Sequence, residues 1–223
     1  MNERRLIIAI DGPSGAGKGT IARTIAQRLA YRHIDTGAMY RAVAWLAGHD
    51  GVDLDDPAAV ATLAASAKLE VNGTVFINGH DVTAAIRTPE IDRAAAIVAR
   101  HARVRGVLVE RQRAYGRDGG IVMEGRDIGT VVFPEADVKI YLDASADERA
   151  RRRASDPAHT GVPATVADVA TLLSQRDEID RTRAASPLYA APDAIVIDTT
   201  GKPVNLVVRE VMTVIGRKLE GRR

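Results

Sequence analysis

None of the 223 residues is cysteine, which rules out disulfides, thiolate metal sites and a cysteine nucleophile and fits an intracellular compartment. Aromatic side chains make up only 4% of the chain, with one Trp, two Phe and five Tyr, too few to build a base-stacking platform for single-stranded nucleic acid. Neither sign of charge prevails. The 31 Lys and Arg are set against 29 Asp and Glu, so no general basic field for nucleic acid is expected. No window approaches the roughly 20 apolar residues of a membrane span. The run Leu6–Ile10 is too short for a secretory core and stops at Asp11 and Gly12. The expectation is a cytoplasmic protein without membrane or nucleic-acid partners. His33, His49, His80, His101 and His159 show no metal-ligand spacing, and there is no internal repeat or low-complexity tract.

What the chain does have is an alternation of buried-type strands and amphipathic helices, which points to one α/β unit with a mostly parallel sheet. The expected strands are Leu6–Ile10, His33–Ile34, Ile121–Met123, Val138–Leu142 and Ala194–Ile197. The expected helices run from Lys18 to Ala30, from Thr36 to Gly48, from Pro57 to Ala67, from Pro89 to Ala99 and from Ala102 to Tyr115. One more carries Arg149–Arg153, and the last two run from Thr165 to Ala184 and from Val204 to Leu219. Asp55 and Asp56 are candidate caps for the helix at Pro57, and Thr165 with Asp168 has the spacing of a capping box. Between Lys68 and Val82 the pattern changes to a small antiparallel hairpin with Asn72-Gly73 and Asn78-Gly79 as turns. The stretch Ser155–Ala164, with Pro157, Gly161 and Pro163, reads as a solvent-facing loop.

Directly after the first strand comes Gly12-Pro13-Ser14-Gly15-Ala16-Gly17-Lys18-Gly19-Thr20. Glycines let such a loop turn tightly with its N–H groups aimed at an anion, Lys18 adds a mobile charge, and the following helix presents its positive end. The spacing is that of a Walker A loop with one departure, since Gly19 stands where a Ser or Thr hydroxyl would hold Mg²⁺. The loop indicates nucleotide binding without naming the reaction.

Four further groups could hold a second anion. Arg149, Arg152 and Arg153 lie at i, i+3 and i+4 on one helix face, a pattern equally open to a solvated face paired with Asp147 and Glu148. Arg176, Asp180 and Arg183 follow Val169 and Leu173 along another face, where exposed ion pairing also explains Arg176 and Asp180. Glu124-Gly125-Arg126-Asp127 stands at the carboxyl end of a strand, where α/β sheets bind ligands, though a turn with an Arg–Asp pair has the same sequence. In Asp35-Thr36-Gly37-Ala38-Met39-Tyr40-Arg41 the Thr36 hydroxyl sits at a helix start, as a ligand or as an N-cap. Arg105, beside Arg103 on a helix, is uninformative alone.

Taken in order, these motifs resemble the bacterial cytidylate kinases over nearly the whole chain, joined by Val104-Arg105 with Gln112-Arg113 and by Gly125 through Pro134. The resemblance implies a P-loop NTPase-type parallel sheet flanked by helices, forming a single kinase unit. Its core would be residues 1–57, 100–150 and 166–223, with a β-containing monophosphate-binding insertion at 58–99 and a lid at 151–165. It implies ATP-dependent phosphorylation of CMP and dCMP with Mg²⁺, in a monomer. By that resemblance Gly12–Thr20 binds ATP phosphates and Lys18 stabilises the transferring charge. Arg41 and Arg126 clamp the acceptor phosphate, and Arg149, Arg152 and Arg153 close on the donor. Asp127 can accept from the cytosine N4 amine but would oppose the O4 of uracil, and Arg105 can donate to the base's acceptor edge. Arg176 and Asp180 would meet the sugar hydroxyls, with Arg183 near the sugar or phosphate. Thr36 replaces a Ser frequent in the family and keeps its hydroxyl. Ala96 replaces a base-contacting Ser and does not. Gly19 leaves the metal ligands unassigned. The competing readings are a UMP or AMP kinase, and a P-loop switch or nucleic-acid-dependent ATPase.

Overall fold

Every residue of β1 (Ile7–Asp11) is buried, because the strand has neighbours on both edges and helices on both faces. The structure is a computed structural model that describes residues 5–156 and 165–220. Of the expected lid, residues 157–164 lie outside the described residues. In chain order the remaining elements are α1 (Lys18–Leu29), β2 (Arg32–Asp35), α2 (Thr36–His49), α3 (Pro57–Ser66), β3 (Leu69–Asn72), β4 (Thr74–Ile77), β5 (His80–Asp81) and α4 (Pro89–Val98). They continue with α5 (Ala102–Tyr115), β6 (Ile121–Gly125), a π turn (Ile128–Val132), β7 (Val138–Asp143), α6 (Ala146–Ala154), α7 (Val166–Thr182), β8 (Ile195–Asp198) and α8 (Val204–Glu220).

The main sheet is parallel, in the order β2-β6-β1-β7-β8, with Ile8 opposite Val122 on one side and Val138 on the other. Alternation along β1 divides the core between the two faces. Ile7 and Ala9 pack with Met39, Val43 and Leu108 from α2 and α5, whereas Ile8 and Ile10 pack with Ile21, Ile25, Val208 and Val211 from α1 and α8. Burial of this kind stabilises by about 25 cal/mol per Å² of apolar surface. The sheet therefore holds the carboxyl ends of β1, β6 and β2 side by side, and the loops that leave them are set on a rigid base.

The insertion is a three-stranded antiparallel sheet, β3-β4-β5, flanked in sequence by α3 and α4. Its third strand, His80–Asp81, is a pairing too short for sequence periodicity to show. Asn78 and Gly79 both take positive φ (50° and 84°), the geometry that favours a two-residue hairpin turn. Val71, Val75 and Ile77 belong to the same buried cluster as Met39 and Leu46, so the insertion shares the core of α2. At the far end of α2, Trp45 stacks on His49 with ring centroids 5.0 Å apart and meets His80 of the hairpin at 5.5 Å.

Local capping explains most boundaries. Asp56, not Asp55, caps α3 by accepting from Ala58 N and Ala59 N at 2.9 and 3.0 Å. The capping box of Thr165 and Asp168 opens α7. That helix stops at Thr182, two residues before the expected end, because Arg183 leaves helical geometry at φ −60°, ψ 138°. Thr36 is not a cap. Asp35 caps α2 by accepting from Ala38 N at 3.0 Å, and the Thr36 hydroxyl donates to Glu124 O at 2.7 Å, tying α2 to β6.

Candidate active site

A cavity of about 810 Å³ opens at the carboxyl ends of β1, β2 and β6, between the glycine loop, α4 of the insertion, and the paired helices α6 and α7. Its floor is the glycine loop. Gly12 adopts φ 145°, and a Cβ there would stand 2.0 Å from Leu142 O, so no other residue fits against β7. Gly17 at φ 90° is the left-handed residue from which α1 starts, and no side chain caps that end. The first N–H groups of α1 and their positive end thus face the cavity.

Lys18 is buried, and its ammonium donates to Pro13 O at 2.7 Å. Burial, reinforced by the nearby Arg126 charge, pushes its pKa down to about 7. Asp11, at the end of β1, accepts from Ile128 N at 2.8 Å and Gly129 N at 2.7 Å; burial pushes its carboxyl up to about 6 against the pull of those two N–H groups. The oxygens of Glu124 lie against the glycine loop. A Cβ at Gly19 would come within 3.2 Å of Glu124 Oε1, which is also 3.0 Å from His33 Nε2. A Ser or Thr at the position that departs from the Walker pattern would thus press on the end of the Glu124 side chain, which would have to shift slightly.

The arginines from distant motifs converge on this cavity. Arg41, Arg105, Arg126, Arg152, Arg153, Arg176 and Arg183 line it together with Thr36, Asp127 and Asp180. Arg126 Nε donates to Asp180 Oδ2 at 2.9 Å, and Arg183 Nη1 donates to Asp180 Oδ1 at 3.3 Å. Asp180 is thus a buried junction between two cations, not a member of an exposed i, i+4 pair. Burial would raise its carboxyl, but Arg126, Arg176 and Arg183 hold it below the usual range. Arg105 is 3% exposed rather than a surface charge, donates to Asp127, and lies 5.4 Å from the centre of the Tyr40 ring. Arg126 and Asp127 do not pair with each other; each reaches a partner on another helix.

Arg152 donates to Glu148 Oε1 and Thr199 Oγ1 at 2.9 Å each, while Arg153 donates to Asp92 of α4. Arg176 lies 3.6 Å from the same Asp92 carboxylate. Burial pushes both guanidinium pKa values down to about 10, aided at Arg153 by the charge of Arg176 and at Arg176 by that of Arg126. Arg149 is placed differently from the expected stripe. It lies behind the glycine loop, away from the cavity, where Nη1 donates to Ser14 O at 3.1 Å and to Asp177 Oδ2 at 2.5 Å. Helical spacing put the three arginines on one face, but Asp177 of α7 draws the first into the core. Gly12 and Pro13 likewise support the loop from beneath and do not line the cavity.

Several buried donors around the cavity find no acceptor among the described residues: Arg41 Nε, Arg105 Nε, Arg176 Nε and Arg183 Nη2. Buried polar groups are normally satisfied, so this set suits a ligand rich in acceptor oxygens and nitrogens. Sequence reasoning missed Asp92, whose role depends on helices 60 residues or more away, and the cavity wall at Thr199 and Gly201–Val204. The position of that wall just after β8 was a usable signal. Among the described residues no three His, Asp or Glu side chains form a metal cluster. Glu124, Thr20 and Asp35 do line the cavity. One or two carboxylates beside bound phosphates are what a hydrated Mg²⁺ requires.

Comparison with known proteins gives a consistent result. The family model for cytidylate kinase matches residues 8–217. The cytidylate kinase of Pelotomaculum thermopropionicum is 49% identical over 222 residues, covering 97% of each chain. That of Geobacillus thermodenitrificans is 46% identical, covering 97% of this chain and 99% of the relative. In fold, the chain is similar to a solved gluconokinase from Sinorhizobium meliloti 1021, with a TM-score of 0.55 at 15% identity over 98% of this chain and 97% of that one. No described helix is long and apolar enough to cross a membrane.

Proposed function

The chain belongs to the cytidylate kinase family, and on that premise we propose that it transfers the terminal phosphoryl group of ATP to the phosphate of CMP, and of dCMP, releasing ADP. The observation that carries this reading is the joining, in one cavity, of a phosphate-binding loop with the Arg105–Asp127 pair and a ring of acceptor-seeking arginines. The loop and the positive end of α1 receive the donor phosphates. Arg41 and Arg126 receive the acceptor phosphate, and Lys18, Arg152 and Arg153 neutralise charge as it shifts between the two; Arg176, expected at the sugar, joins them, since it lies with Arg153 at Asp92. Asp127 reads the cytosine amine and Arg105 its acceptor edge. Asp180, with Arg183, faces the sugar. Residues 58–99 form the acceptor side and 151–165 the lid, and Arg149 serves by bracing the loop rather than by touching the donor.

The acceptor is already an anion, so the reaction asks no residue to remove a proton. This distinguishes the reading from a sugar kinase of similar fold, whose hydroxyl acceptor calls for a positioned base. Mg²⁺ bound with ATP supplies charge neutralisation at the phosphates; Glu124 and Thr20, on the wall beside Gly19, would hold it through its water shell. A cytoplasmic monomer acting on free nucleotides completes the reading. The test is an ADP-release assay that compares CMP, dCMP, UMP and AMP as acceptors. CMP and dCMP are expected to lead, and a preference for AMP would overturn the acceptor assignment.

A further inference from the structure

Asp127 flanks the start of the π turn Ile128–Val132, a place where an aspartate ordinarily bends its carboxylate onto the exposed N–H groups of the turn it precedes. Here it makes no such bond, and its carboxylate accepts from Arg105 instead. The N–H groups it forgoes are taken from another strand. Asp11 Oδ1 accepts from Ile128 N at 2.8 Å and Oδ2 from Gly129 N at 2.7 Å. Gly129 N lies two residues beyond Asp127, within reach of the bond that a capping carboxylate at Asp127 would make. Asp11 is itself buried and held in the sheet. It is 5% exposed, ends the central strand, and is paired in register with Gly125 of β6 and Tyr141 of β7.

We propose that Asp11 is a specificity-positioning residue: by capping the turn in place of Asp127, it keeps the Asp127 carboxylate directed at the acceptor base. The assignment rests on the reading of Asp127 as the residue that recognises cytosine. Asp11 also precedes Gly12 directly, so its side chain anchors the base-reading turn to the strand end from which the phosphate loop leaves. A carboxylate can satisfy both N–H groups because it has two acceptor oxygens. An amide has one, and its NH₂ would oppose the second N–H. Without the full cap, the turn competes with Arg105 and the base for the Asp127 carboxylate.

The experiment is a double-mutant cycle of Asp11→Asn and Asp127→Asn, reading kcat/KM for CMP and for UMP and KM for ATP. The ratio of CMP to UMP cancels the shared phosphate chemistry and isolates base reading. Asp11→Asn is expected to lower that ratio about tenfold, corresponding to one charge-assisted hydrogen bond, while KM for ATP stays within about threefold. In the Asp127→Asn background the same substitution is expected to change the ratio less than about twofold. A ratio that survives Asp11→Asn, or an equal fall in both backgrounds, overturns the proposal. If the asparagine variant does not fold, Asp11→Ser, whose single, shorter-armed oxygen cannot hold both N–H groups, completes the same cycle with the same criteria. A wild-type enzyme without preference for CMP over UMP would overturn the cytosine reading itself, and the proposal with it.

Discussion

Buried beside Arg126, the Lys18 ammonium gives up its proton at about pH 7 instead of its usual 10.5. An arriving phosphate reverses that balance, since an adjacent anion favours the charged form. At pH 8 the free enzyme holds Lys18 mostly neutral, so ATP binding there should take up about 0.5–1 proton. Calorimetric titration of ATP in two buffers of different ionisation enthalpy measures this, with Lys18→Met as the control that removes the uptake. Proton release, or none, in the wild type would refute it. At the same scale, Asp127 and Arg126 were legible in the sequence because they follow a strand at its carboxyl end. Asp92 was not. Its meaning comes from Arg153 and Arg176, which reach it from α6 and α7 across the cavity.

The contact between α6 and α7 is held by a pair that sequence spacing misread. Arg149 and Asp177 are both buried, at 7% and 3% exposure, and the same guanidinium grips Ser14 O of the phosphate loop. Removing one member of a buried pair leaves the other charge without compensation and costs about 3–5 kcal/mol. Arg149→Ala should therefore lower the unfolding free energy by that order in urea titrations. The substitution of both Arg149 and Asp177 by apolar residues should recover part of the loss. A change under about 1 kcal/mol for Arg149→Ala would contradict the bracing role and return this residue to the donor phosphates. The helices and buried strands were legible because period and caps are local. The π turn was not: Ile128-Gly129-Thr130-Val131-Val132 has no helical pattern, and its first N–H groups are satisfied by Asp11, 117 residues away.

Across the whole molecule, the insertion and the helices α6 and α7 meet through Asp92 on one side and Arg153 and Arg176 on the other. A nucleotide phosphate must compete with that carboxylate for the same guanidinium groups. Asp92→Asn is thus expected to lower KM for ATP by about two- to tenfold, the effect of removing one like charge from an anion site. Steady-state kinetics at fixed CMP will show it, and a higher KM would mean that Asp92 assists closure rather than opposing the phosphate. The insertion has little freedom to respond as a separate body, since its strands and α2 share one buried cluster. At the outer edge of that shared core sits the chain's single tryptophan, Trp45, stacked on His49 and touching His80. Its emission, excited at the red edge where nucleotide bases are transparent, comes from one known contact between helix and hairpin. The enzyme thus carries a built-in optical gauge of whether its insertion stays docked during turnover, with no label attached.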